Sequence, residues 1–237
     1  TGENTYPRLK RFLSELNDGM VPVNLWNYKE VGTLDDGTKV VDALLGKDIF
    51  DYPKPITLIK KMLQVSGSSD NDIILDFFSG SATTAHAVLQ LNAEDGGNRQ
   101  FVMVQLPEIC DENSEAYKAG YKTICDIGME RIRRAGQKIL SEQDNQMKLG
   151  EEEKLTLDIG FKVFELDTSN LKTWDSTPIL ESEQQILIER MNQMLDRVKP
   201  DRSDMDMVYE IMLKIGLPLT ERIDTVDIQG KTAYSVG

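Results

Sequence analysis

Basic residues, histidine, cysteine and paired prolines are what this sequence has least of. Lys and Arg number 27 against 40 Asp and Glu, a formal net charge of −13 over 237 residues. A large nucleic-acid footprint is ordinarily basic, because an acidic surface is repelled by the phosphate backbone. The chain as a whole therefore presents no such surface. Histidine occurs once, as His86, and cysteine twice, as Cys110 and Cys125. That set has no Cys/His ligand spacing, which leaves no metal site, and two cysteines are too few for a disulfide scaffold, so a reducing cytoplasm is the compartment expected. No apolar run is long enough to span a membrane. The chain starts at Thr1 with neither an initiator methionine nor a basic and apolar leader, and reads as a piece cut from a longer polypeptide. No two prolines are adjacent anywhere in it. What is present, 40% hydrophobic residues over this length, can bury one sizeable core with an appendage.

The most informative stretch runs Asp72-Ile-Ile-Leu-Asp-Phe-Phe-Ser-Gly-Ser-Ala-Thr-Thr-Ala85. Ile73, Ile74 and Leu75 form a short apolar run of the kind found in strands buried on both faces, and Asp76 stands where that strand leaves the sheet. Ser79, Gly80, Ser81 and Ala82 have little side-chain bulk, so backbone can approach a ligand, and Thr83 or Thr84 can open a helix. Ala85, Val88 and Leu89 then recur at helical spacing, with His86 on the first turn as a surface or packing residue. A dinucleotide fingerprint needs more glycines than Gly80, and a phosphate loop needs a lysine before the Thr pair. An acidic strand end beside a small-residue turn suits a ligand bearing an ammonium group.

The segment Leu75-Asp-Phe-Phe-Ser-Gly-Ser-Ala-Thr-Thr-Ala-His-Ala-Val88 resembles the S-adenosylmethionine motif of the amino-group DNA methyltransferases. More specifically it resembles the modification subunit of type III restriction-modification systems, an adenine-N6 enzyme of the class with the catalytic motif N-terminal. Phe50-Asp-Tyr-Pro-Lys-Pro-Ile-Thr-Leu-Ile-Lys60, Leu91 to Glu108 and Tyr209 to Thr220 resemble the same subunit. The resemblance implies an α/β fold: a partial Rossmann-like methyltransferase sheet with a small C-terminal α+β lobe. It implies that Asp76, Phe77, Phe78, Ser79, Gly80, Ser81 and Thr83 line the cofactor. Asp51, Lys54, Pro55 and Thr57 would hold its carboxylate end, and Gln105 or Glu108 its ribose. The family usually shows glycine where this chain has Ala82, so a positive φ there would be strained. The Asp-Pro-Pro-Tyr type motif that holds the adenine amino group in this class is absent, so no catalytic residue is assigned and the piece by itself is expected to be inactive. DNA contact would come mainly through parts outside this chain. A homodimer and a meeting with the restriction subunit are implied as well. A non-catalytic subunit-interaction module and another Rossmann-like nucleotide-binding enzyme remain alternatives.

Four regions are expected: 1–50 leading in, 51–140 binding the cofactor, 141–159 a mobile linker, and 160–237 the α+β lobe. Tyr6–Leu16 has helical spacing, and Val23–Val31 alternates as a short edge strand with Trp26 and Tyr28 over core. Asp35-Asp36-Gly37 reads as a turn before a short helix at Val40–Leu45. Pro53-Lys54-Pro55 fixes two φ angles and starts a helix buried along Ile56, Ile59, Met62 and Leu63. Phe101–Val104 is a second strand, completing a βαβ unit. Tyr121–Leu140 is a helix with Ile124, Gly128, Ile132, Ala135 and Ile139 on one side and a solvated stripe of Arg131, Arg134 and Lys138 on another. In the lobe, Gly160–Leu166 reads as a strand, Glu183–Val198 and Met205–Ile215 as helices, and Thr225–Val236 as a hairpin about Gln229-Gly230.

Overall fold

The computed structural model describes residues 22–147, 157–180 and 184–237. The helix expected at Tyr6–Leu16 lies outside them. The chain divides into two compact units, Thr1–Gly160 and Phe161–Gly237.

The first unit is a mixed α/β arrangement about a small parallel sheet. Strands β1 (Ile73–Asp76) and β2 (Gln100–Met103) pair in register from Ile73 opposite Gln100 to Asp76 opposite Met103. Helix α4 (Thr83–Asp95) connects them. Strand alternation turns Ile74 and Phe101 to one face, where they pack with Ile59 against Leu63, Val88 and Leu91. The other face carries Ile73, Leu75 and Val102, exposed by 65%, 60% and 46%. Burial on both faces, expected from the apolar run, is therefore corrected: among the described residues the core forms against one face only. Parallel sheets carry apolar side chains on both faces because both are ordinarily covered.

Helix α4 is buried nearly all round, with Ala85, Ala87 and Val88 fully enclosed. It packs against α3 (Ile56–Val65) and α6 (Ile124–Met147). Its loop to β2 is fastened by Arg99, which pairs with Asp95 at 2.8 Å and donates to the Ser68 carbonyl at 3.1 Å.

The leading segment differs from expectation. Val23–Val31 forms no strand; Asn27 accepts the Lys29 N–H and caps a short helix, α1 (Tyr28–Val31), whose Tyr28 is 62% exposed. Asp35-Asp36-Gly37 is no loop but the first turn of α2 (Leu34–Leu45), because Thr33 and Asp36 close a reciprocal capping box. Gly37 meets a different demand: a Cβ there would stand 2.2 Å from the Pro53 carbonyl oxygen. The rigid Pro-Lys-Pro segment thus runs directly against α2. Val41, Leu45 and Ile49 make a second core with Ile127 and with Ala116 of α5 (Glu115–Lys118).

Helix α6 begins at Ile124 rather than Tyr121 and continues through Met147. The linker expected at 141–159 is thus helical through Met147, lies outside the described residues at 148–156, and is irregular at 157–159. Arg134 and Lys138 face outward and pair with Glu130 and Glu142, but Arg131 is wholly buried, which corrects its place on a solvated stripe.

Gly160–Leu166, where the second unit begins, forms no strand. Lys162 donates instead to the carbonyls of Leu219 and Glu221, and Phe164 meets Tyr209 edge-on at 4.9 Å. Helix α7 (Gln184–Gln193) stops short of Val198, which bridges to Leu171 in antiparallel fashion. Its Leu187 and Met191 are exposed. Helix α8 (Asp204–Ile215) is closed by Ser203 and Asp206 at one end and left-handed Gly216 at the other. Strands β3 (Ile223–Ile228) and β4 (Lys231–Val236) form the expected hairpin, with Gln229 and Gly230 both at positive φ. No helix among the described residues is long and apolar enough to cross a membrane.

Candidate functional site

The C-terminal end of β1 delivers Asp76 to the start of the turn. Its carbonyl accepts the Val104 N–H at 2.8 Å, which extends the sheet by one rung. Its carboxylate is half-exposed: Oδ1 accepts the Phe78 N–H at 3.2 Å and Oδ2 accepts the Thr84 hydroxyl at 2.5 Å. A carboxylate has about four acceptor positions, so two remain for a ligand. Phe77 and Phe78 stand beside it, 64% and 76% exposed, with ring centroids 5.2 Å apart.

The turn is fixed from several sides. Ser79 N–H donates to the Val104 carbonyl, Ala82 N–H to the Ser79 carbonyl, and Gly80 N–H to Gln105 Oε1 at 2.8 Å. Gly80 and Ala82 take φ of 51° and 58°. Ala82 is thus the strained case, and it occupies the N-cap position ahead of Thr83, the first residue of α4, with no side-chain cap. Behind the turn, Arg131 Nη1 donates to Ser81 Oγ at 2.7 Å and Thr83 Oγ1 at 2.8 Å. Ser81 and Thr83 are buried, so their hydroxyls serve the arginine and not an open cleft.

The upstream segment adjoins this turn: a Cβ on Gly80 would lie 3.4 Å from the Phe50 ring. Asp51 and Lys54 are exposed, Pro55 is buried at the head of α3, and the Thr57 hydroxyl donates to the Val31 carbonyl at 2.6 Å. Of the two residues expected at a ribose, Gln105 is engaged at both ends, accepting from Gly80 and donating to the Leu106 carbonyl. The Glu108 side chain is exposed.

His86 is a packing residue, 5% exposed, and burial together with nearby Arg131 and Lys138 holds its pKa down to about 3. Neither Cys110 nor Cys125 is joined in a disulfide. Among the described residues no group of acids, histidines and cysteines could hold a metal ion.

Two site residues escaped the sequence reading. Thr84 was legible only as a helix opener, and Arg131 only as a surface cation. Helical arithmetic holds a signal for the second: Arg131 lies four residues after buried Ile127 and four before buried Ala135.

A phosphate fits this arrangement poorly, since Asp76 would repel it and the Gly80 N–H is already taken. A cationic ligand with a flat ring fits the free carboxylate lone pairs and the exposed aromatic pair. Residues 5–135 match the DNA methylase family. The chain is 38% identical over 157 residues to the type III restriction-modification enzyme StyLTI Mod subunit of Salmonella typhimurium, covering 66% of this chain and 22% of that one. It is 31% identical over 235 residues to the EcoPI Mod subunit of Escherichia phage P1, covering 98% and 33%. It is 35% identical over 108 residues to the type II methyltransferase M.KpnI of Klebsiella pneumoniae, covering 46% and 25%. The chain thus spans between a fifth and a third of the length of these relatives. With more than half of its residues matched, it belongs to the DNA methylase family.

Proposed function

We propose that this chain is the cofactor-binding and C-terminal part of a type III modification subunit, which transfers a methyl group from S-adenosylmethionine to the N6 amino group of adenine in DNA. The observation that carries this reading is the half-exposed Asp76 carboxylate at the end of β1, beside exposed Phe77 and Phe78 and followed by a turn of small residues. The bound cofactor supplies an activated methyl on a sulfonium. The work of this chain is to hold and orient it.

Asp76 takes the ammonium group, and Phe77 and Phe78 flank the ligand. Ser79 and Gly80 allow close backbone approach, while Ser81 and Thr83 act from behind the turn. Lys54, with Asp51, Pro55 and Thr57, holds the carboxylate end at the head of α3. Glu108 takes the ribose hydroxyls, and Gln105 instead locks Gly80. Residues 51–140 are the cofactor part of a Rossmann-like sheet, and the uncovered face of Ile73, Leu75 and Val102 is what a larger, doubly covered sheet would bury. Residues 160–237 serve subunit contact, in a cytoplasmic homodimer that also meets a restriction subunit. DNA is held mainly by regions outside this chain, in keeping with the net charge of −13.

The test is methyl transfer by the full-length protein that carries this chain, incubated with S-adenosylmethionine and duplex DNA. N6-methyladenine in the digested product supports the reading. No modified base, or methylation confined to cytosine, overturns it.

A further inference from the structure

Arg131 is the bulkiest fully enclosed side chain among the described residues. No described carboxylate pairs with it, and its Nε and Nη2 have no partner among the described residues. Its Nη1 donates to the Ser81 carbonyl at 3.3 Å, to Ser81 Oγ at 2.7 Å and to Thr83 Oγ1 at 2.8 Å. These acceptors flank Ala82, which sits at φ 58° and ψ 41°. One turn earlier on α6, Gly128 lets the helix close on the same segment: a Cβ there would stand 3.3 Å from the Gly80 carbonyl oxygen and 3.6 Å from the Ala82 Cβ.

Both partners are unfavourable alone. A buried guanidinium without a counter-charge is costly, and burial lowers its pKa to about 10, which still leaves it charged at neutral pH. A left-handed alanine is strained, because its Cβ crowds the following carbonyl oxygen. Together they account for each other. The arginine finds acceptors because Ser81 and Thr83 turn inward on either side of a left-handed residue, and that residue stays left-handed because the arginine grips both neighbours.

We propose that Arg131 is a positioning residue for the cofactor turn: it holds Ala82 in its left-handed conformation and so sets the Asp76–Gly80 backbone at which the ligand binds. This role rests on the functional reading above. It is distinct from a general contribution to stability, because it acts through one backbone conformation.

Arg131→Lys, whose ammonium ends one bond short of the Nη1 position that reaches both sides of Ala82, tests this in two backgrounds, the natural chain and Ala82→Gly. S-adenosylmethionine affinity is measured by calorimetry well below the thermal midpoint of each variant. Glycine adopts positive φ at no cost, so Arg131→Lys lowers affinity about tenfold in the natural background and less than about threefold in the Ala82→Gly background. Thr83→Val deletes one acceptor and leaves the arginine in place; measured in the same two backgrounds it follows the same pattern with a smaller loss, and it decides the matter should Arg131→Lys fail to fold. Equal losses in both backgrounds, or no loss in either, overturn the positioning role while leaving the functional reading intact. Absence of binding by the natural chain removes both.

Discussion

Thr84 donates its hydroxyl proton to Asp76 Oδ2 at 2.5 Å, tying the last residue of β1 to the first turn of α4 across the whole small-residue turn. Thr84 is 8% exposed, so this bond is shielded from water on one side. The Phe78 N–H on Oδ1 completes the grip, and the carboxylate keeps a single orientation.

Thr84→Val keeps the shape and removes the donor. A hydrogen bond to a charged group contributes roughly 1.5 kcal/mol, so cofactor affinity falls about tenfold as the carboxylate loses its fixed orientation. Calorimetric titration with S-adenosylmethionine measures the change.

Stability depends on pH through His86. Its pKa is near 3 in the folded chain and 6.5 ordinarily, so the unfolded chain binds a proton first as pH falls. The stability is fully present above 6.5 and is lost progressively below it, down to about 3. Between pH 7 and pH 5 the loss from this one group is about 2 kcal/mol. Urea unfolding at both values reads it, and the difference shrinks by that amount in His86→Gln. His86 is the sole histidine, which makes the comparison clean.

Gly37→Ala and Gly67→Ala separate crowding from backbone strain. The first places a methyl 2.2 Å from the Pro53 carbonyl in a helix whose φ any residue accepts, and it destabilises by about 3 kcal/mol. The second sits at φ 71° with open space around it, and costs about 1 kcal/mol. Denaturant midpoints of the two variants give the ranking.

The sequence was most legible where local chemistry and tertiary packing agree. The βαβ order, the Pro-led start of α3, the Gly216 stop and the Gln229-Gly230 hairpin all follow from residues within a few positions. It was less legible where a distant contact decides. Asp35-Asp36-Gly37 carries turn composition, yet the Thr33 capping box and the close passage of Pro53 make it helix. Gly160–Leu166 alternates like a strand but finds no partner strand among the described residues, where Lys162 and Phe164 engage other groups. In the site, Asp76 and its turn stood out from composition alone. The inward direction of Ser81 and Thr83 did not, because it depends on Arg131, nearly fifty residues away.

Whether the Asp76 turn takes the cofactor decides the proposed function. Calorimetric titration of the 237-residue chain with S-adenosylmethionine, and with its demethylated product, measures this directly. Saturable binding that Asp76→Ala abolishes and Asp76→Asn weakens is the result predicted. No saturable binding by the natural chain, or equal binding by the Asp76 variants, would contradict it.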